Sequence, residues 1–176
     1  MMKKLLVIII ICFPATFCFA QKAATIKSVL LEQLRKTHNK KDWFVPVNIA
    51  IEGLTAEQAM WKDNSGNHSV AQLVSHLIFW NDQQLAKFKG EKPGAFSGNN
   101  DETFAKVDKA GWAMAVKKLD EVLTQLEKVI SEADESKLTT WYDTIANIST
   151  HNAYHTGQII YSRKLHGTWD PEKGVK

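Results

Sequence analysis

The chain has 176 residues, of which 44% are hydrophobic, and its 22 basic and 19 acidic residues give a formal net charge of +3. This length fits one domain with a substantial core. The nearly balanced charge, with no basic run interleaved with aromatic residues, excludes a surface built to follow nucleic-acid phosphates.

The amino-terminal segment has the features of a secretory signal peptide. Two lysines precede an apolar run over residues 5–13, and Cys18 and Ala20 place small residues at the two positions that a signal peptidase inspects. We expect cleavage after Ala20. This divides the chain into a signal peptide, residues 1–20, and a single domain, residues 21–176, in the periplasm or outside the cell.

Two other fates of this segment are less consistent with its residues. An uncleaved membrane anchor would need about 20 apolar residues, which is more than the run provides. Lipid attachment at Cys18 is disfavoured by the bulky Phe17 before it. Cleavage would remove both cysteines, Cys12 and Cys18, and would bring the net charge to about +1. The mature chain would then carry neither a disulfide nor a thiol nucleophile.

The first part of the mature chain predicts one long helix followed by a broken segment. Apolar residues at helical spacing predict the helix over residues 23–39. Pro46 interrupts helical geometry, so we expect a break before a short helical stretch over residues 45–52, which Gly53 ends. Residues 54–68 are predicted to form a partly turned connection.

Two further long helices are indicated by capping signals and periodicity. Ser69 and Gln72 form a capping box at the start of the second long helix. After a loop rich in glycine and asparagine, apolar residues spaced by threes and fours predict a third helix. We expect this helix to open at residues 99–102 and to end within residues 131–136.

A fourth long helix is predicted over residues 144–165. Arg163 and Lys164 lie in its last turn, where cations meet the negative end of the helix dipole, and Gly167 is a plausible cap. With no convincing strand pattern, the chain is predicted to be an all-α four-helix bundle with long connections.

Three histidines on these helices can be brought to one point. His151 and His155 are four residues apart, so they lie on one face of the fourth helix, and His76 lies on the second. A lone histidine on an apolar face is more often a packed core residue. Burying several imidazoles without a partner is costly, however, and a shared metal removes that cost. We therefore predict that His76, His151 and His155 bind one divalent metal ion and leave a coordination position open.

Other residues are candidates for the surroundings of this site. Gln72 and Gln158 are expected either to orient the ligand histidines or to act as cap and surface residues. Tyr154, Trp80 and Trp61 are candidate pocket walls, with core packing as the alternative.

The remaining histidines and the nearest acid are not assigned to the site. His38, His68 and His166 lie near predicted helix ends or in loops and are expected to be solvated. Asp82 follows His76 by six residues, so it points to a different part of the helix and is expected to be solvated. No general base is therefore assigned.

Three segments resemble the DinB/YfiT-like superfamily of metal-binding four-helix bundles. They are HSVAQLVSHLIFWND, NISTHNAYHTGQIIYSRKLHGTW about 70 residues later, and EGLTAEQAMWK before the second long helix. The family pattern is one histidine on the second helix and H-x-x-x-H on the last, positions filled here by His76, His151 and His155. The resemblance implies a divalent metal, frequent homodimers, and hydrolase or thiol-dependent transferase or isomerase activity. We expect zinc, with nickel or iron as alternatives.

The function expected from these features is metal-dependent hydrolysis of an unidentified small molecule. Three imidazoles and a water give an ion that lowers the pKa of the water and polarises a bound oxygen. A thiolate also binds zinc well, but an exported protein would meet few small cytosolic thiols. A metal-binding bundle without catalysis is a third alternative. Nucleic acid is not an expected partner, and no stable membrane anchor is expected after cleavage.

The cleavage site gives the first testable prediction. Mass spectrometry of the exported protein should find Gln21 as its first residue. An exported form that retains residues before this position would contradict the assignment, and retention in the membrane fraction would favour an anchor.

Overall fold

Six α-helices make up a computed structural model that describes residues 23–174, and the predicted signal peptide lies outside this range. The helices are α1 (Ile26–His38), α2 (Val47–Ile51), α3 (Ala56–Met60), α4 (Val70–Lys89), α5 (Trp112–Glu132) and α6 (Glu135–Leu165), with short 3-10 helices at Asn100–Thr103 and Pro171–Lys173. The described residues contain no strand, which agrees with the predicted all-α class. None of these helices has the length and hydropathy needed to cross a membrane.

The four long helices pack around one apolar core. α4 lies against α5 and α6, and α1 lies against α5 and α6, while the short helices α2 and α3 cover one end. All four long helices contribute fully or almost fully buried aliphatic side chains, each worth about 1.5–3 kcal/mol relative to an exposed one. These include Leu34, Val74, Leu77, Leu119, Leu126, Ile130, Ile145 and Ile159.

The third long helix begins later than predicted. It starts at Trp112, and residues 99–102 belong instead to a connection that contains the 3-10 turn. Side-chain hydrogen bonds to the backbone stabilise this alternative to a helix. Asn99 accepts from the amide of Asp101, and Asp108 accepts from the amide of Gly111 directly before α5.

The last helix begins earlier than predicted, at Glu135 rather than residue 144. Only Ala133 and Asp134 separate α5 from α6, and the Asp134 carboxylate accepts from the amide of Lys137 as an N-cap. Buried Leu138 continues the apolar face into this added part of the helix. Residues 135–143, which were predicted to precede this helix, therefore form its first turns.

Two features of the covering segment were also missed. The predicted connection after Gly53 contains α3, which opens with a capping box between Thr55 and Gln58. Arg163, expected only to meet the helix dipole, is buried and donates from one guanidinium nitrogen to the carbonyl of Ala50 at 2.7 Å and from the other to that of Thr168, also at 2.7 Å. These bonds hold α2 against the end of α6.

The expectation that His38 is solvated is wrong. Only 1% of this residue is exposed, and it lies between α1 and α5 with a carboxylate at each ring nitrogen. Nδ1 donates to Glu127 at 2.6 Å and Nε2 donates to Asp120 at 2.9 Å, and Arg35 lies 3.5 Å from the other oxygen of Glu127. Burial lowers the pKa of His38, but the two carboxylates outweigh it and raise the pKa above 6.5. The imidazolium is thus an ionic clamp between two helices.

The raised pKa of His38 makes part of the folding free energy depend on pH. Because the folded pKa exceeds the unfolded value, the stabilisation is fully present below about pH 6.5 and is lost as the pH rises through the folded pKa. Glu127→Gln removes one of the two carboxylates. We expect the wild type to be more stable than this variant by about 1–3 kcal/mol near pH 6, and the difference to shrink toward pH 9.

Chemical denaturation of both proteins between pH 5.5 and 9 measures this difference. Glu121→Gln, which alters an exposed acid on the same helix, is the matched control. A wild-type advantage that is constant across the range would show that the imidazolium is not the stabilising form.

Candidate metal centre

Three histidine side chains from two helices converge on one point. His76 comes from α4, and His151 and His155 come from successive turns of α6. The Nε2 atom of His151 lies 3.1 Å from that of His76 and 3.1 Å from that of His155. One ligand atom from each residue lies within 4.8 Å of the others. The spacing by four on α6 therefore places both rings opposite the single histidine of α4.

Hydrogen bonds at the far side of two rings determine which nitrogens face the centre. The Thr103 hydroxyl donates to the carbonyl of Asn100 at 2.6 Å, so its oxygen accepts from Nδ1–H of His76, also at 2.6 Å. His155 Nδ1–H donates to Oε1 of Gln158 at 2.6 Å. A neutral imidazole has only one N–H. The Nε2 atoms of His76 and His155 therefore carry lone pairs toward the centre.

The surroundings favour the neutral form of these rings. Burial, followed by the proximity of the other histidines, lowers the pKa of His76 to about 3, and burial and His155 lower the pKa of His151 to about 4. Burial also lowers the pKa of His155, against the opposing effect of Gln158. At neutral pH the three rings are therefore uncharged, which is the form that binds a metal.

The donor set fits a divalent metal ion. Two nitrogens bound to one tetrahedral zinc at about 2.0–2.1 Å lie about 3.3 Å apart, close to the 3.1 Å separations between the Nε2 atoms. Without a cation, the lone pairs of His76 and His155 have only the ring of His151 between them, and one neutral ring has a single N–H to donate. A shared ion can bind all three nitrogens at once. His76, His151 and His155 are the residues that could hold it.

A buried amide pair holds the two ligand-bearing helices in register. Asn81 on α4 donates to Asn152 on α6 at 2.8 Å, and Asn152 donates back at 3.1 Å. The Asn81 amide also donates to the carbonyl of Leu77. Because Asn152 follows His151 directly, sliding of one helix along the other would break this pair as it separated the histidines.

Phe104 supports the site from the loop before α5. Its ring stacks on His76 with a centroid distance of 4.0 Å and on His68 at 3.8 Å. The side chain of Gln72 donates to the backbone carbonyl of Phe104 at 3.2 Å and accepts from the amide of Ser69 at 3.1 Å. Gln72 thus anchors the loop that carries Phe104, and its bonds do not reach the ligand nitrogens.

A groove of about 600 Å³ opens beside the three histidines. Of the three candidate pocket walls, Trp80 and Tyr154 lie in its lining, whereas Trp61 stacks on His166 and lines a different cavity. Gln158 lies outside the groove lining, bonded to His155 and to the Tyr154 hydroxyl. The histidine cluster therefore has one accessible side, formed by α4 and α6.

Sequence reasoning missed Thr103 and Phe104 among the residues that shape the site. Both lie in the connection after α4, far from His76 in sequence and outside any helical periodicity. Only the observation that Asn99 and Asp101 form a capped turn, instead of opening a helix, could have indicated that these two side chains return to the histidines.

Comparison with known proteins identifies one family. The family model described as the DinB superfamily matches residues 47–159, a range that contains all three histidines. Searches of curated proteins and of solved structures gave no significant match.

Metal content tests the ligand assignment. His155→Ala should lose the bound ion because only two of the three nitrogens remain, and elemental analysis of the natively purified protein measures this. Thr103→Val keeps the shape of the side chain but removes the acceptor for His76 Nδ1–H, so it should weaken metal affinity by about 10–100-fold.

Matched controls exist for both variants. His166→Ala removes a histidine outside the cluster, and Thr150→Val changes an exposed threonine on α6. Both should retain the metal content of the wild type. Equal metal content in His155→Ala and the wild type would contradict the assignment of His155.

Proposed function

The chain belongs to the DinB superfamily, and we propose that it is a metal-dependent hydrolase of a small molecule. The observation that carries this proposal is the one-sided cluster, in which three uncharged histidines converge and a groove of about 600 Å³ opens beside them. Three neutral nitrogen donors leave a position for water or substrate. A bound divalent ion, zinc first and nickel or iron as alternatives, would lower the pKa of a water molecule and polarise a substrate oxygen.

Residues around the cluster position the ligand nitrogens and determine which ring nitrogens carry protons. Thr103 and Gln158 keep the protons of His76 and His155 on Nδ1, away from the centre. The Asn81–Asn152 pair keeps the two helices in register. These contacts preorganise the donor atoms, so little reorganisation is needed during the reaction.

The same groove supports thiol-dependent transfer as a second candidate. No aspartate or glutamate lines the groove within the described part of the chain, so no carboxylate is available there to take a proton from the nucleophile. A thiol loses its proton far more readily than water, with an ordinary pKa of about 8.5. A thiol cosubstrate would therefore need less help from the protein.

We favour hydrolysis over thiol transfer because we expect the protein to be exported. We propose that residues 1–20 are a cleaved signal peptide, on the basis of their two lysines, apolar run and small residues at positions 18 and 20. A periplasmic or secreted protein would meet little of the small thiols of the cytosol, whereas water is always present. Metal storage without catalysis is disfavoured because no fourth histidine, cysteine or acidic ligand joins the cluster among residues 23–174.

A paired activity screen tests the ranking. Aryl esters and anilides are incubated with metal-loaded and with chelator-treated protein, and a thiol-conjugation assay with an electrophilic arene runs in parallel. We expect metal-dependent hydrolysis that His155→Ala abolishes and His166→Ala retains, because only the first variant loses a ligand. Metal-dependent thiol conjugation without any hydrolysis would reverse the ranking.

A further inference from the structure

The groove runs along the bundle away from the histidines. His76, Trp80 and Gln84 on α4 are spaced by four, so they follow one face of that helix, and all three line the groove. Ile148 and Thr144 continue the opposite wall on α6. Eight residues of helix between His76 and Gln84 correspond to about 12 Å. A ligand lying along this path has one end at the cluster and the other at Gln84 and Thr144.

The walls of this path carry no formal charge. Beyond the three histidines, the described lining residues are amides, hydroxyls, an aliphatic side chain and aromatic rings, with Trp80, Gln84, Thr144, Asn147 and Ile148 along the path itself. Asp143 lies outside the lining and accepts from the side-chain amide of Asn147. Away from the histidine end, a charged group of a ligand would lose hydration here without gaining an ion-pair partner among the lining side chains.

Trp80 forms a fixed apolar wall midway along the path. Its indole N–H donates to the side chain of Asn100 at 3.2 Å. Phe79 and Phe96 pack edge-on against it, each with a centroid distance of 5.2 Å. A ring held from three sides offers a flat surface that needs little ordering when a ligand binds.

The far end of the path offers hydrogen-bonding groups that the protein itself does not use. The side chains of Gln84 and Thr144 are half-buried, and neither has a hydrogen-bond partner within residues 23–174. A carboxamide can donate and accept at once, and a hydroxyl can do the same. These two groups therefore suit a neutral partner with both a donor and an acceptor.

Taking these features together with the proposed function, on which this inference rests, we propose that the groove binds uncharged molecules about 12 Å long. Their reactive group lies at the three histidines, an apolar or aromatic middle lies against Trp80, and a neutral amide or hydroxyl group bonds to Gln84 and Thr144. The substrates of this site are accordingly amide- or hydroxyl-bearing neutral compounds, and ionic compounds of the same shape are rejected.

Three matched hydroxamic acids test this selectivity without requiring turnover. A hydroxamate binds zinc, so para-(carbamoylmethyl)benzohydroxamic acid places a neutral amide toward Gln84. Its para-carboxymethyl and para-(2-aminoethyl) analogues place an anion and a cation there. We expect titration calorimetry of the zinc-loaded protein to show the amide binding at least about tenfold more tightly than either ion, because the uncharged walls do not repay ion desolvation.

Variants distinguish the contribution of the para substituent of each compound from that of its zinc-binding hydroxamate. Gln84→Leu should reduce the preference for the amide to within about threefold, while Gln125→Leu, an exposed position on α5, should leave it unchanged. His155→Ala should abolish binding of all three compounds.

The remaining outcomes would contradict either the neutral-substrate proposal or the proposed function. Equal binding of the three compounds, tighter binding of an ionic one, or no binding to protein that retains its zinc would refute the neutral-substrate proposal and leave the metal site intact. Binding that persists in chelated protein and in His155→Ala would instead contradict the proposed function.

Discussion

The structure depends on the contact between α4 and α6, where three uncharged imidazoles are held with the Nε2 atom of His151 3.1 Å from those of His76 and His155. Burial lowers the pKa values of His76 and His151, so at neutral pH the cluster has at most one inward N–H, on His151, to share between two facing lone pairs. A folded protein tolerates such an arrangement only when other contacts offset its cost. The aliphatic core and the buried Asn81–Asn152 pair supply those contacts on either side of the cluster.

The chain uses buried histidine in two opposite ways. His38 has a carboxylate at each nitrogen, which favours the imidazolium and joins α1 to α5 by charge. The α4–α6 cluster has uncharged acceptors, a threonine hydroxyl and a glutamine amide, at the outer nitrogens of His76 and His155, and burial keeps both rings neutral. The groups around each histidine, and not its position in a helix, therefore determine whether it joins two helices by charge or is available to bind a metal.

The sequence predicts the parts of this site that depend on local periodicity. The capping box at Ser69 and Gln72 and the spacing of His151 and His155 follow from helical geometry. Thr103 could not be predicted in the same way, because it reaches His76 only after the chain has turned back in the connection before α5. His38 was misjudged for a related reason, since its position at a helix end suggested solvent, while its partners lie on a helix far along the chain. Contacts between distant segments require the packed fold.

The residues proposed for the chemistry and those proposed for substrate recognition lie at different turns of the same two helices. The proposed chemistry belongs to the turns that carry His76, His151 and His155, where the only strong field would come from the bound cation. The proposed choice of substrate belongs to the turns that carry Gln84 and Thr144, where the walls contribute dipoles alone. Because the two regions are about 12 Å apart, side chains at the far end can change without disturbing the donor atoms. Substitutions in these outer turns could therefore change the proposed substrate preference while the three histidines stay in place.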